Sequence, residues 1–312
     1  MNKQEINEMN IANDYFDLRR RLPMSCRIMD DIQRPAFIVS LRNLTTLKTR
    51  SGDEQVKTPG MRFLVGDAGS HMVRTRILRT DKTWGEGIQF GGDGKAAGKF
   101  RYPYGMAVYD DIVAVADCLN HRIQFFGTSG RFLCELGSDG SSRGQFKCPV
   151  GVAFHRRLHR FLVADTENNR VQALTLHRRS AWSWYATADQ EFGSEGDAHG
   201  QLRRPYSVAV DPSGRILVAD TANHRVQVFE SDFSFLEVFG RKGSNPGQFQ
   251  SPVAVATAPQ GRVVVSDRDN NRVQVFGPRW ELLGVFPRGA SPDILKAPYG
   301  VEVISSEEFT GG

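Results

Sequence analysis

One phrase recurs four times in the chain. Residues 113–126 read VAVADCLNHRIQFF, 161–174 read FLVADTENNRVQAL, 216–229 read ILVADTANHRVQVF, and 263–276 read VVVSDRDNNRVQVF. In each, an apolar run leads to Asp, two variable residues, Asn, one residue, Arg, and a second apolar run broken by Gln. Two Val/Ile/Phe-rich runs around an Asp/Asn turn describe a β-hairpin, because these turn residues hydrogen-bond their own backbone. The alternation Val226-Gln227-Val228 has the period of two that suits a strand with unlike faces. Asp117, Asp165, Asp220 and Asp267 fall 48, 55 and 47 positions apart. Repetition at that period, with strands alone, predicts an all-β propeller.

Around each hairpin the rest of a blade can be read. Openings GKFRYPYGMAV (98–108), GQFKCPVGVAF (144–154), GQLRRPYSVAV (200–210) and GQFQSPVAVAT (247–257) place Pro103, Pro149, Pro205 and Pro252 at the head of an inner strand, where no ladder donor is needed. Gly-rich linkers (GSDGSSRG, GSEGDAHG, GRKGSNPG) carry the chain from one blade to the next. Residues 33–91 form a degenerate blade: Asp67 keeps the Asp position, Ser70 replaces Asn and Met72 replaces Arg. Residues 295–303, LKAPYGVEV, open a sixth blade, but no Asp/Asn/Arg hairpin follows. A propeller avoids exposed edges by closing its ring. Either the residues before Pro35, for instance 25–29, supply a closing strand, or the outer strands of blade 6 are absent from the sequence as written. Residues 1–32 are then an N-terminal segment, partly disordered or supplying that strand, and 33–312 are the propeller.

The motifs GQF..P..VAV, VAD..N.RVQVF and F.G resemble the NHL repeat, best over 98–286. The chain resembles the six-bladed NHL propellers at the C-termini of tripartite-motif (TRIM-NHL) proteins. That resemblance implies a non-catalytic binding module acting in post-transcriptional or translational repression through RNA. It also leaves open a protein–protein scaffold, recruiting substrates for a ubiquitin ligase whose RING lies elsewhere. No zinc-binding Cys/His pattern and no heptad stretch is legible here. The NHL propellers that are amidating lyases use a metal in the channel; no inward-facing His trio is evident, and neither a cofactor nor a metal is expected.

A four-strand meander puts the linkers and the Asp/Asn/Arg turns on one face, here called the top. It should carry Arg101, Tyr102, Tyr104, Lys147, Arg203, Arg204, Tyr206, Lys296 and Tyr299. Cations that pair with phosphate and rings that stack on bases suit single-stranded or stem-loop RNA. The repeat motif itself (Asp117, Asn120, Arg122; Asp165, Asn168, Arg170; Asp220, Asn223, Arg225; Asp267, Asn270, Arg272) reads as structural, each Arg pairing with its Asp or a nearby carbonyl. The opposite, bottom face has one unusual feature, in blade 3. Arg156, Arg157 and Arg160 of one turn and Arg178, Arg179, Trp182 and Trp184 of another gather there as a possible second docking patch; the bland alternative is a solvated basic loop.

Composition narrows the classes further. A net charge of +5 permits an anionic partner without demanding one. Cys26, Cys118, Cys134 and Cys148 form no Cys-x-x-Cys pair, so free buried thiols are expected rather than a disulfide scaffold. The charged first thirty residues fit no signal peptide and no run reaches membrane-spanning length, which points to an intracellular, cytoplasmic protein and makes the Asn43 sequon uninformative. GGDGKAAGKF (91–100) only looks like a phosphate loop: Asp93 stands where the leading Gly belongs and Phe100 where a magnesium-binding Ser or Thr would. No small-molecule substrate is evident.

Overall fold

The computed structural model describes residues 35–41, 60–79, 83–287 and 298–301. They build five four-stranded antiparallel sheets, each a meander in chain order. Blade 1 contains β1 (Pro35–Leu41), β2 (Gly60–Asp67), β3 (Met72–Arg79) and β4 (Trp84–Gly91). Blade 2 contains β5 (Pro103–Tyr109), β6 (Ile112–Asp117), β7 (Arg122–Gly127) and β8 (Phe132–Leu136). Blade 3 contains β9 (Pro149–His155), β10 (Arg160–Asp165), β11 (Arg170–Arg178) and β12 (Trp184–Phe192). Blade 4 contains β13 (Pro205–Val210), β14 (Ile216–Asp220), β15 (Arg225–Phe229) and β16 (Phe235–Phe239); blade 5 contains β17 (Pro252–Thr257), β18 (Val263–Asp267), β19 (Arg272–Phe276) and β20 (Leu282–Phe286). The first strands β1, β5, β9, β13 and β17 neighbour one another in that order, so they are the inner strands of a propeller.

The expected sixth blade is not among the described residues, which hold five. Residues 298–301 form no strand, and the suggested closing strand at 25–29 lies outside the described residues.

Apolar side chains from neighbouring sheets interdigitate to make the core. Phe100, Phe146, Leu202 and Phe249 are fully buried and pin the linkers that enter blades 2 to 5. Close packing restricts two kinds of position to glycine. At Gly137, φ is +121° and an added Cβ would sit 2.6 Å from the Phe146 ring. At Gly105 a Cβ would lie 2.2 Å from the Val150 carbonyl of the next inner strand.

The repeated polar residues close each blade from within. Asp165 is fully buried. Its Oδ1 accepts from the Lys147 N–H at 2.8 Å. Its Oδ2 accepts from Asn168 Nδ2 at 2.9 Å, Arg170 Nε at 2.8 Å and Gln172 Nε2 at 3.1 Å. Arg170 also donates to the Ser142 and Gln145 carbonyls at 3.0 Å, and Gln172 Oε1 accepts from the Gly144 N–H at 2.8 Å. One carboxylate therefore ties the β10–β11 turn to the linker entering its own blade. The same bonds recur around Asp117, Asp220 and Asp267. In blade 1, Asp67 accepts from the Ser70 hydroxyl at 2.6 Å and has Arg74, in the repeat's Gln position, at 3.8 Å. The repeat arginines are thus each held by the repeat Asp and by linker carbonyls.

A second set of bonds joins each blade to the next. The residue before each proline, Tyr102, Cys148, Arg204 or Ser251, has positive φ. Its N–H donates to the side chain in the variable slot of the preceding Asn-x-Arg (Ser70-His71-Met72 in blade 1): His71, His121, Asn169 or His224, at 2.9–3.2 Å. The residue after the repeat Asp reaches the same opening. Thr166 Oγ1 donates to the Pro205 carbonyl at 2.7 Å and Thr221 Oγ1 to the Pro252 carbonyl at 2.6 Å. Cys118 occupies that threonine slot and Cys148 precedes Pro149, and the two form a disulfide between blades 2 and 3. This corrects the expectation of free thiols there. Cys134 is free, and burial, with the Glu135 charge second, pushes its thiol up to about 12. Cys26 lies outside the described residues. Among the described residues no helix is long and apolar enough to cross a membrane.

On the bottom, His155 is fully buried between blades 3 and 4. Its Nδ1 accepts from the Leu158 N–H at 3.2 Å, which leaves Nε2–H to donate to the Gly214 carbonyl at 2.9 Å. Protonation would set N–H against N–H at Leu158. Burial lowers the His155 pKa; burial first and the Lys242 charge second lower that of His224.

Two outcomes are expected. Asp165→Asn removes the charge that Arg170 pairs with in the interior, so urea unfolding should show a loss of about 3 kcal/mol, as for other broken buried pairs; a loss below about 1 kcal/mol would show the cluster to be dispensable. Because both histidines titrate below their unfolded value, their contribution is complete above the unfolded value of 6.5 and declines as pH falls below it. The melting temperature should therefore drop between about pH 7 and 5. His224→Asn, which supplies the acceptor found at Asn169, should flatten that decline; an unchanged profile would count against the bond.

Candidate nucleic-acid interface and the opposite face

The interblade bonds decide what the top face displays. A positive-φ residue before each proline turns its side chain away from the sheet, and two neighbouring slots flank it. The residue one earlier (Arg101, Lys147, Arg203 or Gln250) gives its N–H to the repeat Asp, and its carbonyl accepts from the second residue of the adjoining turn. Arg101, Lys147, Arg203 and Arg204 are exposed, while Tyr102, Tyr104 and Tyr206 are half-buried. The Arg204 guanidinium lies 5.9 Å over the Tyr206 ring, with its NH2 group 3.4 Å from the hydroxyl. Tyr102 packs edge-on to His71 at 5.2 Å. Lys296 lies outside the described residues.

The face is not uniformly basic. Arg101 is 3.5 Å from Asp93, and Glu167 adjoins Lys147 through the bond of its N–H to the Lys147 carbonyl. On blade 5 Gln250 replaces the cation. Arg268 pairs there with Asp269 at 2.7 Å and lies 5.5 Å over the ring of Tyr299, which is 41% exposed. That pairing raises the Arg268 pKa and lowers that of Asp269. Blades 2 to 4 are therefore the basic sector. Arg122 and Arg170 are buried, and Arg225 and Arg272 are half-buried, all four held by their Asp and by linker carbonyls.

Sequence reasoning missed the role of the slot residues. His121 and His224, with His71 and Asn169, accept from the residues before the prolines and so orient the displayed side chains. The signal was available: each slot holds His or Asn, both side-chain acceptors, and each precedes the repeat Arg or its blade-1 counterpart.

On the bottom face, the turns 156–159 and 179–183 bring Arg156, Arg157, Arg178, Arg179 and Trp182 to one corner of blade 3. Arg160 instead lies 3.6 Å from Asp189 and contacts Gln190. Trp184 is half-buried.

The NHL repeat description matches residues 146–174, 202–229 and 249–276. The chain is 30% identical over 150 residues to "Protein brain tumor" of Drosophila melanogaster, covering 47% of this chain and 13% of that protein. It is 40% identical over 144 residues to "B-box type zinc finger protein ncl-1" of Caenorhabditis elegans, covering 46% and 15%. It is 57% identical over 44 residues to "E3 ubiquitin-protein ligase TRIM71" of Rattus norvegicus, covering 14% and 5%. The match thus spans a small part of each relative's own length. Among solved structures, the streptogramin B lyase superposes with a TM-score of 0.52 at 10% identity, over 85% of this chain and 77% of that one. The RRP9 WD40 repeats superpose at 0.52 and 14%, over 86% and 73%. At such identities these two likenesses bear on the fold alone. The chain is a β-propeller of NHL repeats, related over those repeats to the TRIM-NHL proteins.

Proposed function

We propose that the top face of blades 2 to 4 binds single-stranded or stem-loop RNA and that the propeller acts in post-transcriptional or translational repression in the cytoplasm, as a binding module without catalysis. The observation that carries this reading is the Arg204–Tyr206 pair, a guanidinium beside a ring at an exposed blade opening, flanked by Arg203 and with Lys147 on the neighbouring opening. Phosphates meet the cations and bases meet the ring. The kinship with TRIM-NHL proteins supports the same reading.

A second reading, substrate recruitment for a ubiquitin ligase, draws on the description of TRIM71 as an E3 ligase; the match to it is confined to the repeats.

RNA affinity measured against salt separates the two. About 4 to 6 phosphate contacts give a log–log slope near −3 to −4, at roughly −0.7 per contact for single strands. Replacing Arg204 and Tyr206 together with alanine should weaken binding about 10- to 100-fold, the loss of one stack of about 1–3 kcal/mol and one phosphate contact. A flat salt response, or no binding at micromolar protein, would remove the RNA reading.

A further inference from the structure

Blade 3 differs from blades 4 and 5 in its outer hairpin. Strands β11 and β12 have 9 residues each, whereas β15, β16, β19 and β20 have 5. Their upper ends match in register, Val171 with Phe192 as Val226 with Phe239, so the added length lies at the bottom. At about 3.3 Å per residue the hairpin projects roughly 13 Å farther than its neighbours.

That projection carries arginines laid on aromatic rings. Arg178 lies 5.4 Å over Trp184, its partner across the hairpin, and Arg179 lies 5.2 Å over Tyr185. Arg131, from the corresponding turn of blade 2, lies 5.4 Å over Trp182, and Arg156 lies 6.0 Å over Tyr109. Trp182 is 82% exposed and Tyr185 41%. None of these four arginines pairs with a carboxylate of a described residue, unlike Arg122, Arg170, Arg215, Arg225, Arg268 and Arg272. The exposed Asp110 and Asp111 stand in the next turn of blade 2, at the border of this cluster.

We infer that this corner of the bottom face is a docking site for an acidic peptide segment of a partner protein. A guanidinium over a ring keeps its in-plane donors, a fork that fits a carboxylate. The ring limits the arginine's freedom beforehand, which reduces the entropy lost on binding. A large exposed Trp beside unpaired Arg is the composition of an interface centre. Phosphate could meet the same guanidinium forks, so RNA is the alternative occupant that the test separates. The site lies across the propeller from the proposed RNA surface, so each can be disabled separately.

The test uses a fluorescein-labelled peptide rich in Glu with interspersed Leu, the same peptide with Lys replacing Glu, and labelled oligouridylate. The acidic peptide should bind in a salt-dependent manner and the basic one should not. Arg156→Glu with Arg179→Glu should weaken acidic-peptide binding at least about tenfold, the scale of a lost interfacial charge pair. Trp182→Ala, at an exposed position, should weaken it without lowering the melting temperature. The Arg204→Ala and Tyr206→Ala pair should leave it unchanged whether or not RNA binds. Absence of acidic-peptide binding, insensitivity to the charge reversal, or an oligouridylate signal lost on that reversal while the peptide stays unbound would each overturn the inference.

Discussion

A buried carboxylate that accepts from four donors is the interaction on which the rest of the propeller depends. A blade of four short strands has little core of its own, and the linker entering it has no ladder partner over most of its length. The repeat Asp solves both problems at one point. It holds the hairpin turn in a single geometry and fastens the incoming linker to it, while Arg and Gln occupy the linker carbonyls that burial would otherwise leave unpaired. Burial raises the Asp165 and Asp267 carboxyls against the pull of their donors, which is why the full donor set has to be present. Blade 1 keeps the Asp and assembles a reduced version from Ser70 and Arg74.

Much of this could be read from the chain because the repeat is polar as well as apolar. An Asp, Asn, Arg and Gln at fixed offsets within apolar runs can stay in register only if they meet one another inside the blade. The blade order, the inner-strand prolines and the sharing of a face by linkers and turns followed from that. The interblade ties were less legible, because they join positions that are adjacent only after the sheets fan out. Cys118 and Cys148 have no telling spacing. Aligned on the repeat, however, they fall in the slots that Thr166 and Arg204 occupy one blade later, where Thr166 reaches the carbonyl of the adjoining Pro205. The same alignment would have marked His121 and His224 as acceptors. The cation–π pairs of blade 3 rest on strand length, Arg131 and Tyr109, which local composition did not single out.

The interior of the blades and their rims use arginine in opposite ways. Within the blades it is neutralised by a buried Asp and fixed by carbonyls, leaving little capacity for a ligand. On the rims of blades 2 to 4 and at the bottom of blade 3 it is held by backbone geometry or by a ring and keeps its donors. The scaffold thus separates arginines that stabilise from arginines able to recognise, and a count of positive charge would have merged them.

The disulfide between blades 2 and 3 also has a mechanical consequence. It closes a segment with a sequence separation of 30 across one junction, and the next two junctions have a threonine hydrogen bond at the same slot. If the two ends of the chain were pulled apart, the covalent staple would withhold that segment, roughly 100 Å of contour at about 3.5 Å per residue. Blades 4 and 5 would pay out their whole length under load, whereas reduction would release the stapled reserve.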